Sequence, residues 1–223
     1  MKKLFTITAL GLVSLQAAAQ GPKIIDKDIT VAAGTSINLN IQIVDSIRIL
    51  TWNKSEVSVK GSVNVNDNKD NDKYVVTFDG SSDVFNMKTK LENIDHITSG
   101  NKKCNCCCNE VEANFTIYIP ENANLTVETI NGDITITGKT GSVKAKSISG
   151  FVDLAFAPER KAELSLKTIT GNMYSDIDLK PAGSKGLRAV GGDISMPMNG
   201  GGGGRIQLET ISGDIFFRKA TGG

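Results

Sequence analysis

Apolar and polar residues alternate along most of this chain, and in its C-terminal half the alternation is organised into a recurring phrase. The phrase is Φ-x-Φ-x-Thr-Ile-x-Gly-x-Φ-x-Φ, with Φ apolar. It runs from Leu125 to Ile136 around Gly132, Val143 to Leu154 around Gly150, Leu164 to Ser175 around Gly171 and Ile206 to Phe217 around Gly213. A weaker copy runs from Lys185 to Met196 around Gly192. The pattern glycines are 18, 21, 21 and 21 residues apart. Period-two alternation predicts strands. A fixed period near 20 predicts that they stack as the rungs of a β-solenoid, in which no rung buries its apolar face alone. Inward positions should be the residues two and four before Thr, the Ile after it, and the two apolar residues after glycine. Ile130, Ile148, Ile169, Val190 and Ile211 are therefore expected to form one buried column.

The N-terminal half carries the same strand character with less order. Ile37, Leu39, Ile41 and Ile43 alternate with polar residues, and Ile47 to Trp52 reads as a degenerate copy with Trp52 in the isoleucine slot. Asn66 to Asp72 reads as a turn, Tyr74 to Phe78 as a strand, and Gly80 to Glu110 as a loop excursion from the stack. Phe115, Ile117 and Ile119 form a further strand, and Gly200 to Gly204 reads as a flexible loop at one corner. No convincing helical periodicity exceeds about one turn.

Residues 1–20 begin Met-Lys-Lys, continue with an uncharged apolar run from Leu4 to Leu15 and end in Ala17-Ala18-Ala19-Gln20. That is the composition of a cleaved signal peptide. The apolar run is too short to span a bilayer, which takes about 20 residues. The expectation is an exported chain in the periplasm, at the outer membrane surface or outside the cell. It would have no transmembrane segment and one β-solenoid domain over 21–223, with regular repeats over 125–217. Loss of Lys2 and Lys3 takes the formal net charge from +1 to −1, which gives no argument for nucleic acid. An aromatic content of 5% suits a thin Ile, Val and Leu core. It offers no obvious stacking platform for sugars or bases.

Cys104, Cys106, Cys107 and Cys108 are the sharpest local chemical signal. Four thiolates could hold a soft ion such as Cu(I) or Zn(II), but three consecutive cysteines do not wrap a tetrahedron as Cys-x2-Cys pairs do. In an exported chain disulfides stapling a loop are favoured over a metal site or thiols with no defined role. The residues after the pattern glycines are Asp133, Phe151, Asn172, Asp193 and Asp214. Asp193 and Asp214 should face each other on adjacent rungs, as solvated turn residues or sharing a cation. The residues before the Thr slot are Glu128, Lys146, Lys167, Arg188 and Glu209, so Lys146, Lys167 and Arg188 should stack as a short positive ridge. That ridge is either a solvated face or a contact for an anionic glycan or phosphate-bearing surface. His96, the single histidine, has no nucleophile motif to serve, and Arg205-Ile206 after the glycine run does not complete a phosphate cradle.

Thr129 to Ile134 and Thr210 to Ile215, with looser versions at Ser147, Thr168 and Ala189, resemble the repeats of the candidate-adhesin domains of bacterial envelopes. That is an exported family of unknown function. The resemblance covers Ile37 to Arg218 apart from the cysteine segment. It implies a single-stranded right-handed parallel β-helix with rungs of 18–21 residues and carries over no catalytic residue. The reading is a non-enzymatic envelope or surface protein without a cofactor. It would act as an adhesin-like scaffold for a protein or polysaccharide partner, with end-to-end self-association through unpaired edge strands. One alternative is soft-metal binding through the cysteines. The other is a polysaccharide-cleaving β-helix enzyme using residues such as Asp193, Asp214 and Arg188.

Overall fold

The computed structural model describes residues 21–81, 83–92, 110–178 and 192–220. Residues 1–20, the four cysteines, His96, Arg188, Ala189 and Val190 lie outside the described residues. Among those described there are fifteen strands. They are β1 (Lys23–Thr30), β2 (Ser36–Ile41), β3 (Ile43–Trp52), β4 (Glu56–Val65), β5 (Tyr74–Gly80), β6 (Val84–Leu91), β7 (Val111–Pro120), β8 (Leu125–Thr137), β9 (Val143–Ser149), β10 (Val152–Phe156), β11 (Ala162–Thr168), β12 (Met173–Ser175), β13 (Gly192–Met198), β14 (Gly204–Ser212) and β15 (Ile215–Lys219). A 3-10 turn at Asn71–Lys73 is the helical element among them.

All fifteen strands join one hydrogen-bonded sheet, which turns a corner within β8. Residues 125–131 of β8 pair with β9, and residues 125–128 also pair with β2. Residues 131–137 pair with β3, and residues 134–137 with β10. The first face therefore reads β5–β6–β2–β8–β9–β14–β11–β13, and the second β1–β4–β7–β3–β8–β10–β15–β12. One apolar cluster, including Leu125, Val127, Ile134 and Ile136, is buried by both faces. The fold is all-β and mixed. Repeat strands pair in parallel, whereas β1–β4, β4–β7, β5–β6 and β11–β13 pair antiparallel.

Three register expectations are corrected. The early rung is β2 followed by β3, so Ile47–Trp52 is its second half. Trp52 lies beside Pro120 rather than in the isoleucine slot, and Gln42 takes that slot, its carbonyl accepting from the Ile130 and Asn131 amides at 3.1 and 3.2 Å. The span 80–110 is not wholly an excursion, because β6 pairs parallel with β2 and extends the first face. The described part of the weak fourth copy, β13, runs antiparallel to β11 rather than parallel to a neighbouring copy, and Gly192 faces the end of the Met173 side chain where the other pattern glycines face backbone carbonyls.

The stacking order also differs from the order along the chain. β14 pairs with β9 on one side and β11 on the other, and β15 likewise lies between β10 and β12. The fifth copy is thus inserted between the second and third. The link that makes this crossing contains the glycine run. A Cβ at Gly203 would lie 1.9 Å from the Lys161 carbonyl oxygen and one at Gly201 2.4 Å from Glu163 Oε1. The run approaches the start of β11 closely at Gly203, where a side chain does not fit, and Gly200, Gly201 and Gly202 adopt positive φ, which glycine takes readily.

The corner inverts the expected facing of the repeat. Thr129, Ser147, Thr210 and Thr168 are buried, while Ile130, Ile148, Ile211 and Ile169 are 44%, 40%, 39% and 53% exposed. The reason is hydrogen bonding. Ser147 Oγ donates to the Gly132 carbonyl at 3.1 Å, Thr210 Oγ1 to Gly150 at 3.1 Å and Thr168 Oγ1 to Gly213 at 3.0 Å. Each hydroxyl occupies a carbonyl that the ladder would otherwise leave unpaired at the bend. The glycines stack one on another. A Cβ at Gly150, Gly213 or Gly171 would lie 2.2, 2.1 or 1.7 Å from the carbonyl oxygen of the glycine below.

Thr168→Val removes the donor to Gly213 and also the acceptor for the Gly171 amide at 3.0 Å. It should cost about 1–3 kcal/mol in urea unfolding, whereas Ile169→Ser should stay within about 0.5 kcal/mol. Burial pushes the Tyr74 hydroxyl up to about 12, and it donates to the Ile43 carbonyl at 2.7 Å. The unfolded chain releases this proton above about pH 10 while the folded chain retains it. Stability from Tyr74 is therefore present below pH 10 and lost as pH rises toward 12. Tyr74→Phe should flatten the fall in urea midpoint over that window.

Candidate functional site

On each repeat strand the residues between inward positions point outward, and register decides which of them meet. Across the first face the residues before the Thr slot align as Glu128–Lys146–Glu209–Lys167–Asp193. Lys146 and Lys167, expected to stack in a positive ridge with Arg188, are not neighbours, and Arg188 lies outside the described residues. Insertion of the fifth copy places Glu209 between Lys146 and Lys167, so the column alternates in sign. Sequential stacking would set the two lysines opposite each other, which costs stability. Beside this column Lys144 Nζ donates to Glu128 Oε1 at 2.7 Å, and that bond raises the lysine's pKa.

Asp193 and Asp214 are not neighbours. Asp193 pairs in register with Lys167 on the first face. Asp214 lies at the start of the second face, where its Oδ1 accepts from the Asn172 amide at 2.8 Å. Asp133 does the same for the Phe151 amide at 3.0 Å. The post-glycine Asp thus binds the backbone of the adjacent rung. The acid pair and Arg188 considered for polysaccharide cleavage are not assembled among the described residues. Nor do those residues contain a group of three or more His, Cys, Asp or Glu arranged to hold a metal.

The outer surface of the second face carries what the aromatic count concealed. Phe216 on β15 lies in register with Asp153 on β10 and Tyr174 on β12. The Tyr174 and Phe216 rings stack with centroids 5.1 Å apart, and Phe151 meets Phe216 edge-on at 5.8 Å. Tyr174 is 48% exposed. Next to them Asp153 is buried and held by Arg218, whose Nε donates to Oδ1 at 2.9 Å and whose Nη2 contacts Oδ2. That pairing raises the Arg218 pKa. Asp153 continues in register through Thr135, Arg48 and Thr116. Tyr118 on β7, beside Thr116, stacks with Trp52 at 5.1 Å, and Lys54 Nζ sits 4.3 Å over the Trp52 ring. Four strand steps, about 19 Å at 4.8 Å each, separate β7 from β15. A polar strip therefore runs between two aromatic groups on the outer surface of this sheet. The sequence signal was available, since Tyr174 and Phe216 occupy the same outward slot of their copies. Sequential stacking would have put the fourth copy between them.

No protein-family model matches the chain, and a search of curated proteins finds no match. Among solved structures, the fold is similar to that of a candidate cell adhesion protein from Clostridium sporogenes. That likeness covers 89% of this chain and 100% of the other at 12% identity, with a TM-score of 0.54. Candidate adhesins from Parabacteroides merdae and Bacteroides fragilis are also found. They have TM-scores of 0.27 and 0.21, identities of 14% and 11%, and cover 69% and 89% of this chain and 67% and 97% of theirs. The first likeness concerns the fold alone.

Glu209→Lys would place three lysines in line on β9, β14 and β11. It should lower stability by about 0.2–1 kcal/mol, and the loss should shrink in about 1 M salt. Urea midpoints at low and high salt measure both effects.

Proposed function

We propose that the chain is an exported, non-enzymatic binding protein of the adhesin type, whose parallel rungs wind as a β-solenoid and present the second face to a polysaccharide. The observation that carries this reading is the outer strip flanked by Tyr174–Phe216–Phe151 and Trp52–Tyr118. Aromatic rings take up the apolar faces of sugar rings, and the polar side chains of Thr135 and Arg48 between them supply hydrogen bonds to hydroxyls. A pre-formed sheet surface loses little conformational freedom on binding. Repeated rungs suit a repetitive ligand, because equivalent outward slots recur at each strand spacing. The apolar run of residues 1–20 supports export, and the likeness of fold to a candidate cell adhesion protein agrees with a role outside the cytoplasm. No helix among the described residues is long and apolar enough to cross a membrane.

Binding of soluble envelope polysaccharides, followed by glycan array and calorimetry, tests the reading. Phe216→Ala with Tyr174→Ala should weaken binding by about tenfold or more, equivalent to about 1.4 kcal/mol, with the strand circular-dichroism spectrum unchanged. No reducing or unsaturated sugar ends should appear. Unaltered affinity in that variant, binding to no polysaccharide, or release of sugar ends would each overturn it.

A further inference from the structure

The four isoleucines that the corner turns outward form an apolar stripe on the first face, away from the aromatic strip. They follow the stacking order Ile130, Ile148, Ile211, Ile169, because the threonine-slot residues beside them pair as Thr129–Ser147–Thr210–Thr168. All four are among the most exposed large apolar residues described. At one strand spacing each, the stripe is about 14 Å from first to last Cα. Its exposed apolar area is on the order of 300 Å2, comparable to the largest apolar patch of a typical monomer, which is often functional. The column two residues earlier on the same strands is Glu128, Lys146, Glu209, Lys167. Both columns face outward, because the residue between them points into the core.

The charge order selects the occupant. Read from the other end, acid–base–acid–base becomes base–acid–base–acid. A second copy applied face to face about a two-fold axis perpendicular to the stack, passing between the Ile148 and Ile211 rungs, meets the first in reverse order. Glu128 then faces the partner's Lys167, and Lys146 faces the partner's Glu209. Ile130 opposes Ile169 and Ile148 opposes Ile211 across the same axis. Each of these four charges meets its opposite and every isoleucine an isoleucine, while Asp193, next in the column, meets the uncharged Asn40 on β2; that is the self-complementarity an isologous interface requires. The column further out, Thr126, Lys144, Gln207 and Ser165, brings no like charges together in this arrangement. A two-fold axis along the stack would instead lay the charges over Asn131, Ser149, Ser212 and Thr170, which carry none.

We infer that the first face is a self-association surface, through which two copies of this chain pair side by side and antiparallel along the isoleucine stripe. The surface is smaller than the roughly 800 Å2 per partner of a standard stable interface, so the dimer is weak and reversible. It gains in strength where copies are crowded or tethered together. This pairing is distinct from joining at the unpaired edge strands and leaves the aromatic strip free on both copies.

Sedimentation equilibrium on protein recovered from cells expressing the full sequence, kept reduced so that the cysteines cannot cross-link, tests the inference. The expected result is a monomer–dimer equilibrium within the range up to about 1 mM. Ile148→Ser should weaken it by about tenfold or more. Lys146→Glu should weaken it comparably, by setting a glutamate against the partner's Glu209. Adding Glu209→Lys to Lys146→Glu should restore the association, because the doubly changed column is again complementary when reversed. Circular dichroism reports folding, and if Ile148→Ser does not fold, the charge-swap pair alone decides the matter. A monomer throughout that range, oligomers growing beyond the dimer, or association indifferent to both the stripe and the swap would overturn the inference. Polysaccharide binding by the second face can fail or succeed without changing any of these results.

Discussion

The structure depends on one interaction repeated at the corner between its faces: an inward hydroxyl donating to the carbonyl of a glycine on the adjoining rung. A parallel stack loses its regular ladder wherever the chain bends, and each bend strands a carbonyl in an apolar interior. Ser147, Thr210 and Thr168 occupy those carbonyls at Gly132, Gly150 and Gly213. Glycine is required because the backbones approach until no Cβ fits between them. The Thr and Gly of the repeat are therefore two halves of one device. The Ile between them is turned outward because its neighbour must face in.

This constraint links packing to surface chemistry. Fixing the hydroxyl inside fixes which residues on either side emerge, and so creates both the apolar stripe on the first face and the outward slots of the second. Two surfaces of different character result. One is apolar and flanked by alternating charge, and the other is polar between aromatic groups. The post-glycine aspartates belong to the scaffold, since Asp133 and Asp214 bind backbone amides of adjoining rungs. The Asp153–Arg218 pair stiffens the strip from within the row that carries Phe216.

Much of the architecture was legible in the sequence. The alternation at Leu125, Val127, Ile134 and Ile136 identified the core positions, and the recurrence of the phrase implied parallel stacking of its strands. The facing of Thr129 and Ile130 was not legible, because hydropathy ranks isoleucine inside and says nothing of a carbonyl needing a donor. The order of the rungs was hidden for a different reason: near-identical phrases pair equally well with any neighbour. Only the charges broke that degeneracy, through the unfavourable Lys146–Lys167 pairing that sequential stacking would impose. The aromatic strip was hidden with it, since Tyr174 and Phe216 meet only once the order is known. The role of the cysteines lies beyond the described residues.

The inserted fifth copy also bears on how the molecule is made. A chain emerging N-terminus first has its second and third copies available long before residues 204–219 arrive to fill the place between them. The two must therefore either wait apart or separate again, and the finished stack forms only after nearly the whole polypeptide is present. Contacts of such long sequence separation are slow to form and leave strand edges open in the interval. Lys146 and Lys167 would repel each other as direct neighbours, so that premature pairing is weaker than the finished one with Glu209 between them.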